Sequence, residues 1–150
     1  MLVKGMWTLL VTVSAFGGYS PLPTCEKVGV AAVLDPEGPY KNVQEPILQG
    51  LRLALEGRDD LELMVFAYPD DLEGQQRAAT AVASSECVVV VGHNFSTSAE
   101  IFLKHLPTDR QILYISPLAT NPRLAALRSN VYLASPDNVA QVNSLVAQMA

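Results

Sequence analysis

Val88 to Val91 form a run of four valines that ends in Gly92-His93 and passes into Asn94-Phe95-Ser96-Thr97-Ser98-Ala99-Glu100. Four consecutive β-branched apolar residues between polar neighbours predict a strand buried on both faces, the type found in parallel sheets. The hydroxyl cluster Ser96, Thr97, Ser98 and the spacing Thr97-x-x-Glu100 predict a capping box ahead of a helix. In an open parallel sheet, strand, polar loop and helix start place unpaired N–H groups and hydroxyls at the carboxyl end of the strand, where ligands bind.

The same alternation recurs along the chain. Val28 to Leu34 reads as a first buried strand, closed by Asp35-Pro36 and followed by the Pro/Gly-rich loop DPEGPYKN. A helix is expected from Pro46 to Glu56, with Pro46 suited to its first turn and Ile47, Leu48, Leu51, Ala54 and Leu55 on one face. Leu61 to Ala67 is the second strand. Asp70 or Asp71 caps a helix from Leu72 to about Ser84, with the small residues Ala78, Ala79, Val82 and Ala83 on its buried face. After the valine strand come a helix over Ser98 to Leu106, a fourth strand over Gln111 to Ile115, and the loop SPLATNP. Asn121 as cap and Pro122 as first helical residue start a short helix through Leu127. Val131 to Ala134 is a brief fifth strand. Asp137 or Ser135 caps a last amphipathic helix carrying Val139, Val142, Leu145, Val146 and Met149.

Five strands alternating with helices predict an α/β fold, a three-layer αβα open parallel sheet. Right-handed crossovers favour the strand order 2-1-3-4-5. In that order DPEGPYKN, GHNFSTS and SPLATNP converge on one crevice.

The length of 150 residues fits one domain with a real core. A net charge of −5 removes the electrostatic footprint of a nucleic-acid binder, so no nucleic-acid partner is expected. Residues 1–24 read as an export segment: Lys4 is a short positive start, Met6 to Phe16 an apolar core too short to span a bilayer, and Ala15-Phe16-Gly17 a cleavage region. The competing reading is a buried strand at TLLVTV. Cys25 admits two fates. Leu22-Pro23-Thr24-Cys25 is a weak match to a lipoprotein signal. A Cys25–Cys87 disulfide is equally compatible with an oxidising compartment, because both cysteines precede adjacent strands.

Catalytic machinery is not visible. DPEGPYKN lacks a GxGxxG dinucleotide fingerprint, no P-loop or GxSxG elbow occurs, and Gly92-His93 stands where a receiver domain of this topology would carry an acid. His93 and His105 lack companions at metal-ligand spacing. No catalytic residue, metal or cofactor is therefore assigned. Binding remains: hydroxyls at a helix N-terminus hold a small carboxylate without an arginine, and Thr120 adds a further hydroxyl. Against this stands the plainer role of Ser96, Thr97 and Asn121 as helix caps.

VGHNFSTSAEIF followed by LYISPLATNPRL resembles the paired motif of the leucine/isoleucine/valine-binding protein family, the type I periplasmic substrate-binding components of branched-chain amino-acid ABC transporters. The similarity runs from Lys27 to the C-terminus. It implies one lobe of a bilobed protein, residues 25–150, truncated so that the second lobe is absent. It implies that Ser96, with Thr97, binds the ligand carboxylate and that Thr120 binds the α-amino-acid head group. Backbone groups of Leu118 and Ala119 join them, and Tyr40 touches the ligand side chain. The implied partners are an amino acid or related carboxylate or amide, and a transporter permease where a second lobe is supplied. The implied location is periplasmic, or lipid-anchored at the outer face of the membrane. Leu118 replaces a smaller residue of the family pattern, and Ala67-Tyr68 stands where relatives often carry two acids. A ligand-sensing ectodomain of the same fold, coupled to a signalling protein, is the alternative; a flavodoxin-like enzyme is a third reading, disfavoured by the missing phosphate loop.

Overall fold

The computed structural model describes residues 27–149. The export segment and Cys25 lie outside the described residues. The elements are β1 (Val28–Leu34), α1 (Lys41–Leu55), β2 (Leu61–Ala67), α2 (Leu72–Ala83), β3 (Cys87–Val91), α3 (Ser96–His105), β4 (Leu113–Ser116), α4 (Arg123–Leu127), β5 (Val131–Leu133) and α5 (Asn138–Met149). The five strands are all parallel and lie in the order β2-β1-β3-β4-β5, as the alternation predicted.

Period-two alternation along β1 divides the core. Ala31 and Val33 face α2 and α3, where they join Ala78, Ala79, Val82, Val90, Phe102 and Tyr114 in the main cluster. Ala32 and Leu34 face the other way and meet Leu48 of α1, with Ile47, Leu51 and Leu63 packed around them. The small face of α2 has a purpose here: alanines at 78 and 79, both fully buried, let the helix approach the sheet closely.

The two faces are unequally covered, and this corrects the valine run. Val90 is fully buried, but Val88 is 45% exposed and Val89 and Val91 are only half-buried. Among the described residues α1 covers the second face over β1 and β2. Val65, Leu113 and Tyr132, on that side by strand alternation, keep 41%, 39% and 57% of their surface. A register shift between Gly29 and Val30 leaves Val88 as the extra residue of β3. A Cβ at Gly29 would stand 2.9 Å from the Cys87 Cα, so this crossing of β1 and β3 needs glycine.

Helix boundaries differ from expectation where local bonds outweigh sequence cues. α1 begins at Lys41, five residues before Pro46, because the Tyr40 carbonyl accepts from both Val43 N and Gln44 N. The missing proline N–H leaves the Asn42 carbonyl without its usual partner, and Asn42 is exposed, so water serves it. Ala54, expected on the buried face, is exposed. Asp71 caps α2, its side chain accepting from Gly74 N at 2.7 Å. α4 starts one residue later than expected, so Pro122 and not Asn121 holds the N-cap position; Asn121, one residue further out, still accepts from Arg123 N at 3.0 Å. Asp137, rather than Ser135, caps α5 through Ala140 N at 2.8 Å; the Ser135 hydroxyl donates to Pro117 O instead. The apolar face expected of α5 exists but packs on nothing described: Val139, Val142, Leu145, Val146 and Met149 are 56–88% exposed.

Phe102 is fully buried in the main cluster. Phe102→Ala lowers unfolding stability by about 3–5 kcal/mol in urea denaturation, whereas Leu53→Ala, at a position 71% exposed, changes it by less than about 0.5 kcal/mol.

Candidate functional site

The three polar loops do converge at the carboxyl end of the sheet. The loop after β1 reaches the loop after β3 through Tyr40, whose ring meets Phe95 edge-on at 4.7 Å between centroids. The loop after β3 reaches the loop after β4 through Ser96, whose Oγ accepts from Asn121 N at 3.2 Å. The start of α5 closes the rim, with Asn138 N donating to the Thr120 carbonyl at 2.9 Å.

Under these loops lies a continuous buried hydrogen-bond chain. Gln75 Nε2 donates to Pro69 O at 3.0 Å, which turns its Oε1 toward His93 Nε2 at 2.5 Å. His93 Nε2 is therefore the protonated ring nitrogen, and Nδ1 accepts from the Tyr114 hydroxyl at 2.9 Å. The same hydroxyl accepts from His93 N at 2.9 Å. Ser116 Oγ donates to His93 O at 2.9 Å and accepts from Ala119 N at 3.0 Å. Every side chain in these links is buried, so α2, β4, the loop after β3 and the loop after β4 are fixed to one another.

Burial sets the protonation of this chain. Desolvation lowers the His93 pKa from 6.5 to about 3, and desolvation likewise raises that of Tyr114 above the ordinary phenol range. A neutral imidazole with both nitrogens engaged holds the loop and transfers no proton. Its position is set by Gly92: φ is +148° there, and a Cβ would lie 2.4 Å from the Val33 carbonyl oxygen. The sequence marked His93 only as a doubtful metal ligand; it is a structural post.

The expected capping box is not formed. α3 begins at Ser96, two residues earlier than expected, with Ala99 N bonded to the Phe95 carbonyl at 3.0 Å. Thr97 and Glu100 are thus both inside the helix, and Glu100 instead pairs with Lys104 at 2.5 Å. Phe95 occupies the N-cap position and supplies no side-chain bond. The first N–H groups of α3 consequently have neither an intrahelical nor a side-chain cap partner.

The residues named from the sequence separate by exposure. Ser96 and Thr120 are half-buried, Thr97 is exposed, Leu118 is 40% and Tyr40 45% exposed, and Ala119 is buried. Since Ala119 N is spent on Ser116, this residue offers its carbonyl rather than its N–H. Ser96 keeps its own hydroxyl proton, having used a lone pair on Asn121. Asn94 escaped the sequence reading. It is 8% exposed, and neither its Nδ2 nor its Oδ1 has a partner in the protein. It borders a cavity of about 10 Å3 together with Asp35, Tyr68, Asp70, Gln75 and His93. A polar residue in a run of otherwise strand-to-helix apolar and hydroxyl residues was the available signal, but spacing gives no hint that an amide is buried.

Two outcomes follow. The unfolded chain takes a proton on His93 below pH 6.5, while the folded chain does so only near pH 3. Stability is therefore full above pH 6.5 and falls on acidification toward pH 3, by up to about 1.4 kcal/mol per pH unit; urea titrations at pH 7 and 5 measure it, and His93→Gln removes that slope. Asn94→Leu removes two unsatisfied buried atoms and raises the unfolding free energy by about 1–2 kcal/mol in the absence of ligand, in the same assay.

No protein-family model and no curated protein matches the chain. Solved structures do. A leucine-binding protein from Thermotoga maritima superposes with a TM-score of 0.69 at 17% identity, over 79% of this chain and 35% of that one. A branched-chain amino-acid transporter substrate-binding protein from Streptococcus pneumoniae, in complex with isoleucine, gives 0.67 at 15% identity over 75% and 34%. An ABC-transporter solute-binding protein from R. palustris, in complex with 4-hydroxybenzoate, gives 0.69 at 12% identity over 83% and 36%. The chain spans about a third of the length of these proteins. Its described residues have the fold of a single lobe of the substrate-binding proteins of branched-chain amino-acid ABC transporters.

Proposed function

We propose that this chain is a non-enzymatic solute-binding lobe that takes a small carboxylate, an amino acid of the branched-chain type first of all, outside the cytoplasmic membrane. It hands that ligand to an ABC transporter once a facing lobe completes the cleft. The observation that carries this reading is the uncapped start of α3, where free N–H groups and the Ser96 hydroxyl stand beside Thr120 at the meeting of three loops. Such a helix start carries roughly half a positive charge and points its donors at an anion.

The rest of the rim sets what surrounds the carboxylate. Tyr40, Phe95 and Leu118 present apolar surface, each between 39% and 45% exposed, suited to an aliphatic or aromatic side chain. Asn94, two residues before Ser96, holds a buried donor and acceptor without a partner in the protein. The bound ligands of the solved neighbours, isoleucine in one and 4-hydroxybenzoate in another, share a carboxylate and an apolar body. One wall of a cleft buries less ligand surface than two, so the chain alone binds weakly.

Isothermal titration of the chain with leucine, isoleucine, benzoate and small amides tests the reading. A carboxylate is expected to bind with a dissociation constant on the order of millimolar, and Ser96→Ala to weaken it about tenfold or more through loss of a charge-assisted hydrogen bond. Silence toward every carboxylate, or equal binding by Ser96→Ala, overturns it.

A further inference from the structure

A second cavity lies at the opposite end of the sheet. It has a volume of about 380 Å3 and opens where α3 and α4 end and β4 and β5 begin. Its lining includes Lys104, Arg110 and Arg128, with Gln111, Ser129 and Asn130 between them, and no carboxylate. Three of the ten lysines and arginines of a chain with net charge −5 thus converge on one concavity.

Backbone carbonyls hold two of the three cations, the arginines, in place. Arg110 donates through one nitrogen to Ser85 O at 2.7 Å and Cys87 O at 3.1 Å. Arg128 donates to Pro107 O at 3.1 Å and to Leu106 O, two carbonyls past the end of α3. Capping those carbonyls is one role for the arginines, but it leaves charge over. Against three full positive charges stand Glu100, paired with Lys104 at the solvent edge, and the carbonyl end of α3, worth roughly half a negative charge. Asp109 is exposed and outside the lining. Each guanidinium has five N–H donors and gives two to the backbone. Fixed cations with donors to spare, in a cavity of small-ligand size, suit a compact anion of more than one charge.

We propose that this cavity is a second binding site, for a multivalent oxyanion: inorganic phosphate, or the phosphate or polycarboxylate head of a small metabolite. It shares no residue with the crevice at the carboxyl end of the sheet and stands whether or not an amino acid binds there.

The test is a titration of the full, isotopically labelled chain with sodium phosphate, at ionic strength held constant by chloride, followed through backbone amide resonances. Saturating shifts are expected at Lys104, Gln111, Ser129 and Asn130, with those of Ser96 and Thr120 unmoved. Lys104→Gln removes only an exposed ion pair from the protein and weakens phosphate binding about tenfold, while Lys104→Arg retains it. Parallel titrations with glycerol 3-phosphate and citrate separate the sources: tighter binding than phosphate assigns the site to a metabolite head, equal or weaker binding to the free ion. Shifts that rise linearly without saturating, saturation that Lys104→Gln leaves unchanged, or shifts centred on Ser96 and Thr120 overturn the proposal.

Discussion

The buried imidazole of His93 is the contact on which the rest of the site depends. Both of its ring nitrogens and both of its backbone polar groups are engaged by three buried partners from two other elements: Gln75 on α2, Tyr114 within β4, and Ser116 at the end of β4. A buried polar network is favourable only when each member is satisfied, and here the chain closes from Pro69 through to Ala119. The aromatic packing of His93 against Phe102 at 4.8 Å and Tyr114 at 6.0 Å between centroids joins this network to the main core. Core and loop are thus one rigid body at this point. The loop that follows His93 is held from below, which leaves the first N–H groups of α3 without an intrahelical or side-chain partner.

That division explains the different fates of neighbouring polar residues. Ser116 is fully buried and serves the network; Ser96, in the next loop, is half-buried and serves to join two loops. The Asn94 side chain belongs to neither set of bonds. Two unmet polar atoms in a buried amide cost stability.

The core is asymmetric. One face of the sheet is covered by α2 and α3 with fully buried contacts, while the other meets α1 over only part of its width. The final helix is held by its cap at Asp137 and its bond to Thr120, and contributes no buried side chain. The carboxyl ends of the strands meet the three polar loops, and the amino ends of β4 and β5 gather the cations. The two ends of one parallel sheet therefore differ in chemistry as well as in direction.

Strand positions and sheet order were legible in the sequence, because apolar runs separated by helical periodicity leave few arrangements once crossovers are right-handed. The paired segments GHNFSTS and ISPLATNP also marked two of the loops that meet at the carboxyl end of the sheet, where the Ser96 hydroxyl accepts from Asn121 N. Tertiary contacts decided the rest. Whether Val88 is buried depends on how far α1 reaches across the sheet, which no local pattern encodes. Whether Thr97 caps a helix or lies within it depends on where the network under His93 places the Phe95 carbonyl. The orphaned amide of Asn94, the spent N–H of Ala119 and the meeting of Lys104, Arg110 and Arg128 join residues up to tens of positions apart. Spacing along a chain fixes which face a side chain takes; only the packed fold fixes what it meets there.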